Sequence, residues 1–153
     1  MEQLSMCEVV LLFGRICSGK SSYMPNTYRI AVSNLVRGII ASADRNALQN
    51  TMHLSDQIAE SILKVVDSVV DREKIIIVDG IRQAEIVERI LEVYPYANMV
   101  WLEVPTEERK RRYETRKDAK DVESFEVADN KAIELECQKI YSIFKERIKV
   151  INN

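Results

Sequence analysis

One segment constrains this chain more than any other. Glu8 to Phe13 reads EVVLLF, and Gly14-Arg15-Ile16-Cys17-Ser18-Gly19-Lys20-Ser21 follows at once. A short, continuous apolar run closed by glycine is how a strand buried on both faces looks. The eight residues after it match G-x-x-x-x-G-K-[ST], in which glycines let backbone N–H groups turn inward around phosphate oxygens. The following helix is expected to point its positive end at the same anion. Lys20 is placed to reach β- and γ-phosphates, and the Ser21 hydroxyl to hold Mg²⁺. The expected nucleotide-binding set is therefore Gly14, Cys17, Ser18, Gly19, Lys20, Ser21 and Ser22. Pro25 comes so soon afterwards that the helix beginning at Lys20 has to be short.

A buried strand this near the N-terminus asks for neighbours. Tyr28 to Val32 (YRIAV), Lys74 to Val78 (KIIIV), Asn98 to Val104 (NMVWLEV) and Arg147 to Ile151 (RIKVI) supply four more candidates. Helical patterns fill the gaps. Ser55 to Val70 carries Ile58, Ile62, Val65, Val66 and Val69, with Ser55 as N-cap. Gln83 to Val93 carries Ile86, Ile90 and Leu91. Thr106 opens a charged helix whose Glu107 and Glu108 suit the positive N-terminal end. Asp129 to Phe144 presents Ile133, Cys137, Ile140, Tyr141 and Phe144 as an inner face. Strands alternating with helices predict an α/β fold, a three-layer α/β/α arrangement on a five-stranded parallel sheet. The 153 residues, with no repeat, linker or low-complexity tract, read as one domain with a short polar lid at about 117–125.

Composition removes several classes of function. The net charge of -2 gives no support to a general nucleic-acid binder. No apolar run approaches a membrane span, and the start, MEQLSMCEVV, does not resemble a secretory signal. Cys7, Cys17 and Cys137 are odd in number and widely spaced, which argues against a disulfide framework or zinc site and fits a reducing cytoplasm. His53 is the single histidine, so a Ser-His-Asp triad is not expected.

The second half of a phosphate site is expected on a neighbouring strand. Ile75-Ile76-Ile77-Val78-Asp79 is an apolar run ending in a carboxylate, which would place Asp79 beside the loop to orient Mg²⁺. Arg109, Arg112 and Arg116 recur at helical spacing and share one face, a cationic clamp able to close over a triphosphate. Arg82, just after Asp79-Gly80-Ile81, and Arg37, after the second strand, are candidates to hold an acceptor phosphate.

These segments together resemble the P-loop nucleotide kinases over most of the chain: GRICSGKS, IAVSNLVR, IIIVDGIR, NMVWLEVP, ERKRRYETR and a terminal strand ending in Asn152-Asn153. The similarity is nearest to small deoxynucleoside monophosphate kinases and dephospho-CoA kinase-like proteins, bacteriophage members included. The resemblance implies MgATP as phosphoryl donor, with Lys20, Asp79, Arg112 and Arg116 catalytic and Ser21 and Asp79 at the metal. One departure matters. Dephospho-CoA kinases carry an aspartate just after the second strand, and here Ser33-Asn34 stands there. Asparagine accepts no proton at neutral pH. A monophosphate acceptor, already ionised, needs no base. For a hydroxyl acceptor, Asp44 or Asp79 is the candidate base. Some phage relatives phosphorylate the hydroxymethyl group of 5-hydroxymethyluracil in DNA, so the partner is either a small nucleotide or a modified base in DNA. A nucleotide-dependent binding or switch module and an inactive kinase-like fold also stay open. A homodimer through Val65, Val66, Val69 and Val70 is a further possibility.

Overall fold

The computed structural model describes residues 7–39, 54–116 and 123–153. His53, Asp44 and most of the expected lid (117–122) lie outside the described residues. Among the described residues there are five strands: β1 (Glu8–Gly14), β2 (Tyr28–Ala31), β3 (Ile75–Asp79), β4 (Asn98–Glu103) and β5 (Ile148–Asn152). The helices are α1 (Val32–Ile39), α2 (Ser55–Val69), α3 (Ala84–Val93), α4 (Thr106–Arg116), α5 (Phe125–Asp129) and α6 (Ala132–Ile143). All strand pairs are parallel, in the order β2-β3-β1-β4-β5. This is the expected α/β fold, with the five-stranded sheet of a three-layer P-loop domain.

The strand order dictates which connections cover which face. The chain moves one way from β1 to β2, and the opposite way from β2 to β3, β3 to β4 and β4 to β5. Parallel crossovers are right-handed, so the last three must lie on one face and the first alone on the other. The packing agrees. Val36 of α1, Ile62 of α2, Ile90 of α3 and Ile140 of α6 share one core with Val9, Leu11, Ile76 and Trp101. The other face holds Val10, Leu12, Ile77, Val100 and Leu102, with Tyr23 of the first crossover packed against them. Burial on both faces is why β1 and β3 read as unbroken apolar runs and not as an alternation.

Three expectations are corrected. Ser55 is the first residue of α2 and not its cap. Leu54 holds the cap position, with no side-chain hydrogen bond. The single helix expected over Asp129–Phe144 is two helices, because Lys131 adopts extended backbone (φ -63°, ψ 150°) between α5 and α6. Ser124 caps α5 by accepting from the Val127 N–H. No helix follows the glycine loop: only a 3-10 turn, Lys20–Ser22, is formed before Met24 (φ 47°) and Pro25 redirect the chain. A turn that short has almost no macrodipole, so the loop cannot draw on a helix end to hold an anion. Val66 and Val69 of α2 fill the core, while Val65 and Val70 are partly buried against it.

Candidate phosphate-binding site

The loop of residues 15–20 leaves the carboxyl end of β1, where parallel α/β sheets bind ligands. Cys17 (φ 62°) and Gly19 (φ 91°) have left-handed backbone, with Ser18 between them. Such alternation turns successive N–H groups toward one concave side. Two glycines leave room for close neighbours, and Gly19 is required by its positive φ. A Cβ on Gly14 would lie 2.3 Å from the Ser18 hydroxyl, and one on Gly19 would lie 2.5 Å from Asn153 Nδ2. Cys17 adopts its conformation without that freedom, at a cost of roughly 1–2 kcal/mol. The surroundings hold it there: Arg112 donates to its carbonyl (3.2 Å), and it packs beside Tyr113, Phe125 and Ala128. Ser18 is buried, its hydroxyl turned under the loop with no hydrogen-bond partner.

Side chains from α4, α5 and α6, with Asn153 just after β5, fix the loop from outside. Arg15 pairs with Asp129 (2.9 Å), which also receives the buried Arg109 (2.7 Å). The Ile16 N–H donates to Glu134 (2.8 Å), and Arg109 donates to the Ile16 carbonyl (3.3 Å). Arg112 bridges Cys17 O and Asn153 O, and Asn153 in turn donates to Ser18 O (2.9 Å). Arg112 also pairs with Glu108, whose carboxyl is held down at about 2 by hydrogen bonds from Arg111 and Arg112.

A cavity of about 450 Å³ opens over this loop. Residues 17–21 form one wall, α1 supplies Ser33, Val36 and Arg37, and β3 with its following turn supplies Asp79, Gly80, Arg82 and Gln83. Tyr113 and Arg116 of α4, Lys131, and Glu134 of α6 complete the rim. Lys20 Nζ lies along the loop, donating to Gly14 O (2.8 Å) and Arg15 O (3.2 Å). Burial, with the Arg82 guanidinium second, lowers its pKa from the ordinary 10.5. Asp79 ends β3, directly beside Leu12 of β1, and lies 3.6 Å from Arg29. Arg82 pairs with Glu134 (3.2 Å), and Arg37 donates to Asn34 Oδ1 (3.0 Å).

The expected residues therefore divide. Cys17, Ser18, Gly19, Lys20, Ser21, Arg37, Asp79, Arg82 and Arg116 meet at one cavity. Gly14 lies beneath the loop. Ser22 and Arg112 stand outside the cavity wall, and Arg112 is turned to the loop backbone. Arg109 does not join a clamp. The face it shares with Arg112 packs down on the loop and α5, so its charge is spent on Asp129, Val104 O and Ile16 O. Arg116 stacks on the Tyr113 ring at 5.1 Å.

Sequence reasoning passed over Arg29, Asp129, Glu134 and Asn153. A signal existed for two of them. Arg29 interrupts the apolar strand YRIAV, and Glu134 stands beside the buried face of α6; both are charges where burial was expected.

No family model matches this chain, and no curated protein matches it. The fold is widely shared nevertheless, since 253 chains among solved structures match it. One belongs to the Pnkp1/Rnl/Hen1 RNA repair complex, with a TM-score of 0.60 and 17% identity. The match covers 94% of this chain and 48% of that one, so this chain spans about half its length. The loop, the strand order and this likeness define a P-loop α/β domain.

Proposed function

We propose that this chain is a phosphotransferase of the nucleotide-kinase type, moving the γ-phosphoryl group of ATP to the phosphate of a (deoxy)nucleoside monophosphate. The observation that carries the acceptor is a charge census of the cavity. Each described carboxylate on its wall already has a cation: Asp79 has Arg29, Glu134 has Arg82 (3.2 Å), and Glu123 has Lys131 (2.5 Å). A hydroxyl acceptor would have to take its base from one of these ion-paired carboxylates. Among the described residues the side-chain partner of Arg37, by contrast, is the neutral amide of Asn34. A phosphate monoester needs no base, and a guanidinium is its preferred partner.

The residues fit the donor and its metal. Mg²⁺ is commonly held by one or two protein oxygens plus substrate phosphates and waters. Among the described residues no cluster of three or more acidic, histidine or cysteine side chains exists, and Ser21 and Asp79 share the cavity wall. Those two would hold the ion, which neutralises charge between the β- and γ-phosphates when bound. An acceptor phosphate oxygen forms the new bond to γ-phosphorus as the bond to the β-bridging oxygen breaks, leaving ADP. Lys20 and Arg82 supply positive charge around the moving group, and Arg116 stands at the mouth of the same cavity.

The likeness to a chain of an RNA repair complex supports a second reading, an acceptor carried on a nucleic-acid strand; the sequence resemblance names 5-hydroxymethyluracil in DNA as the form such an acceptor would take. One assay separates them: γ-labelled ATP offered with the deoxynucleoside monophosphates and with hydroxymethylated DNA. Label is expected on a monophosphate and not on DNA. Label on DNA alone selects the second reading, and label on neither removes both.

A further inference from the structure

The segment between β1 and β2 has to cross one sheet face alone, and it does so without a helix. Its 3-10 turn is held by two long bonds, Ser22 N–H to Gly19 O (3.2 Å) and Tyr23 N–H to Lys20 O (3.3 Å). Ser21 sits in the middle of this turn. A helix of ordinary length would fix that residue through its own hydrogen-bond ladder, and here there is none.

One side chain reaches the turn from the sheet. Arg29 of β2 donates to Lys20 O (3.1 Å) and to Tyr23 O. The nitrogen that meets Lys20 O also lies 3.6 Å from Asp79 Oδ2. The sheet register makes this possible. Arg29 is opposite Ile77, two residues from Asp79 on the adjacent strand, so both side chains stand on the face crossed by the turn. Both are largely shielded from water, with side-chain exposures of 22% and 18%. A guanidinium suits the place because it is a planar fork with five donors and a permanent charge.

We infer that Arg29 is a positioning residue that staples the shortened turn to Asp79. It fixes Ser21 and Asp79 in relation to each other, the task a helix would otherwise perform. This rests on the phosphate-site reading above for its purpose, and on the contacts alone for its existence. Lysine cannot replace it, since one ammonium cannot span both carbonyls and the carboxylate.

The test compares the wild type with Arg29→Lys and Arg29→Gln in two arms. In the first, amide hydrogen exchange is followed without nucleotide. The Ser22 and Tyr23 amides of Arg29→Gln should exchange about tenfold faster or more, relative to α3 of the same variant, with Arg29→Lys between. No local change overturns the inference. In the second, ATP with Mg²⁺ is titrated calorimetrically. Arg29→Gln should bind about tenfold more weakly, and Arg29→Lys should regain part of that loss and not all. A lower melting midpoint with wild-type ATP affinity would show that Arg29 merely adds stability, which also overturns the inference. If the wild type takes up no ATP, the phosphate-site reading fails, while the exchange arm still decides the staple. Should Arg29→Gln fail to fold, Arg29→Lys carries both arms: accelerated exchange and weakened binding uphold the inference, and wild-type values in either arm overturn it.

Discussion

Lys20 shows how far one residue can be read from sequence. Its place on the cavity wall was legible from spacing, because glycine at Gly19 and Gly14 and the strand before them leave few other conformations for the loop. Its electrostatic state was not legible, since that depends first on burial in the folded chain and then on Arg82, which is distant in sequence. The lowered pKa has a definite consequence. Between the folded value and 10.5 the unfolded chain binds more protons, so the contribution of Lys20 to stability rises with pH across that window. A phosphate beside the ammonium favours its charged form and restores the pKa. ATP affinity is therefore expected to fall as pH rises through the folded value, with proton uptake on binding. Calorimetry in two buffers of different ionisation enthalpy measures this; binding without proton uptake at alkaline pH contradicts it. Arg109 is the opposite lesson. Helical spacing put it correctly on a face with Arg112, but a face pattern cannot say whether that face meets ligand or protein.

At the scale of elements, the strands were the most legible, because double-sided burial demands unbroken apolar runs such as Ile75–Val78. The break between α5 and α6 was hidden, since Asp129 and Lys131 are ordinary helix-flanking residues and the cause of the break is tertiary. Asp129 is drawn to Arg15 and Arg109, which ties α5 to the glycine loop. The same geometry predicts a large mutational effect. Asp129→Ala leaves Arg109, only 4% exposed, without its carboxylate. Breaking a buried pair this way costs about 3–5 kcal/mol. Urea unfolding should show that loss, and a change under about 1 kcal/mol, typical of surface pairs, would contradict the assignment. Ser124→Ala, removing only the α5 cap, should cost about 1 kcal/mol.

For the whole molecule, right-handed crossovers and the strand order β2-β3-β1-β4-β5 leave one connection alone on its face. That connection carries the glycine loop and is cut short by Pro25. The sequence made the shortening visible but not its remedy, because Arg29 acts across strands far apart in the chain. The resulting cavity gathers Lys20, Arg37, Arg82 and Arg116 around paired carboxylates, the arrangement on which the proposed phosphate acceptor rests. No described helix is long and apolar enough to cross a membrane, which agrees with the absence of an apolar span in the sequence.

The most direct measurement is phosphorus magnetic resonance of the wild-type protein with ATP, Mg²⁺ and a deoxynucleoside monophosphate. ADP and deoxynucleoside diphosphate are expected in equal amounts, with the rate in Lys20→Ala lower by at least about 100-fold. Inorganic phosphate as the product in place of the diphosphate, or transfer undiminished in Lys20→Ala, would contradict this expectation.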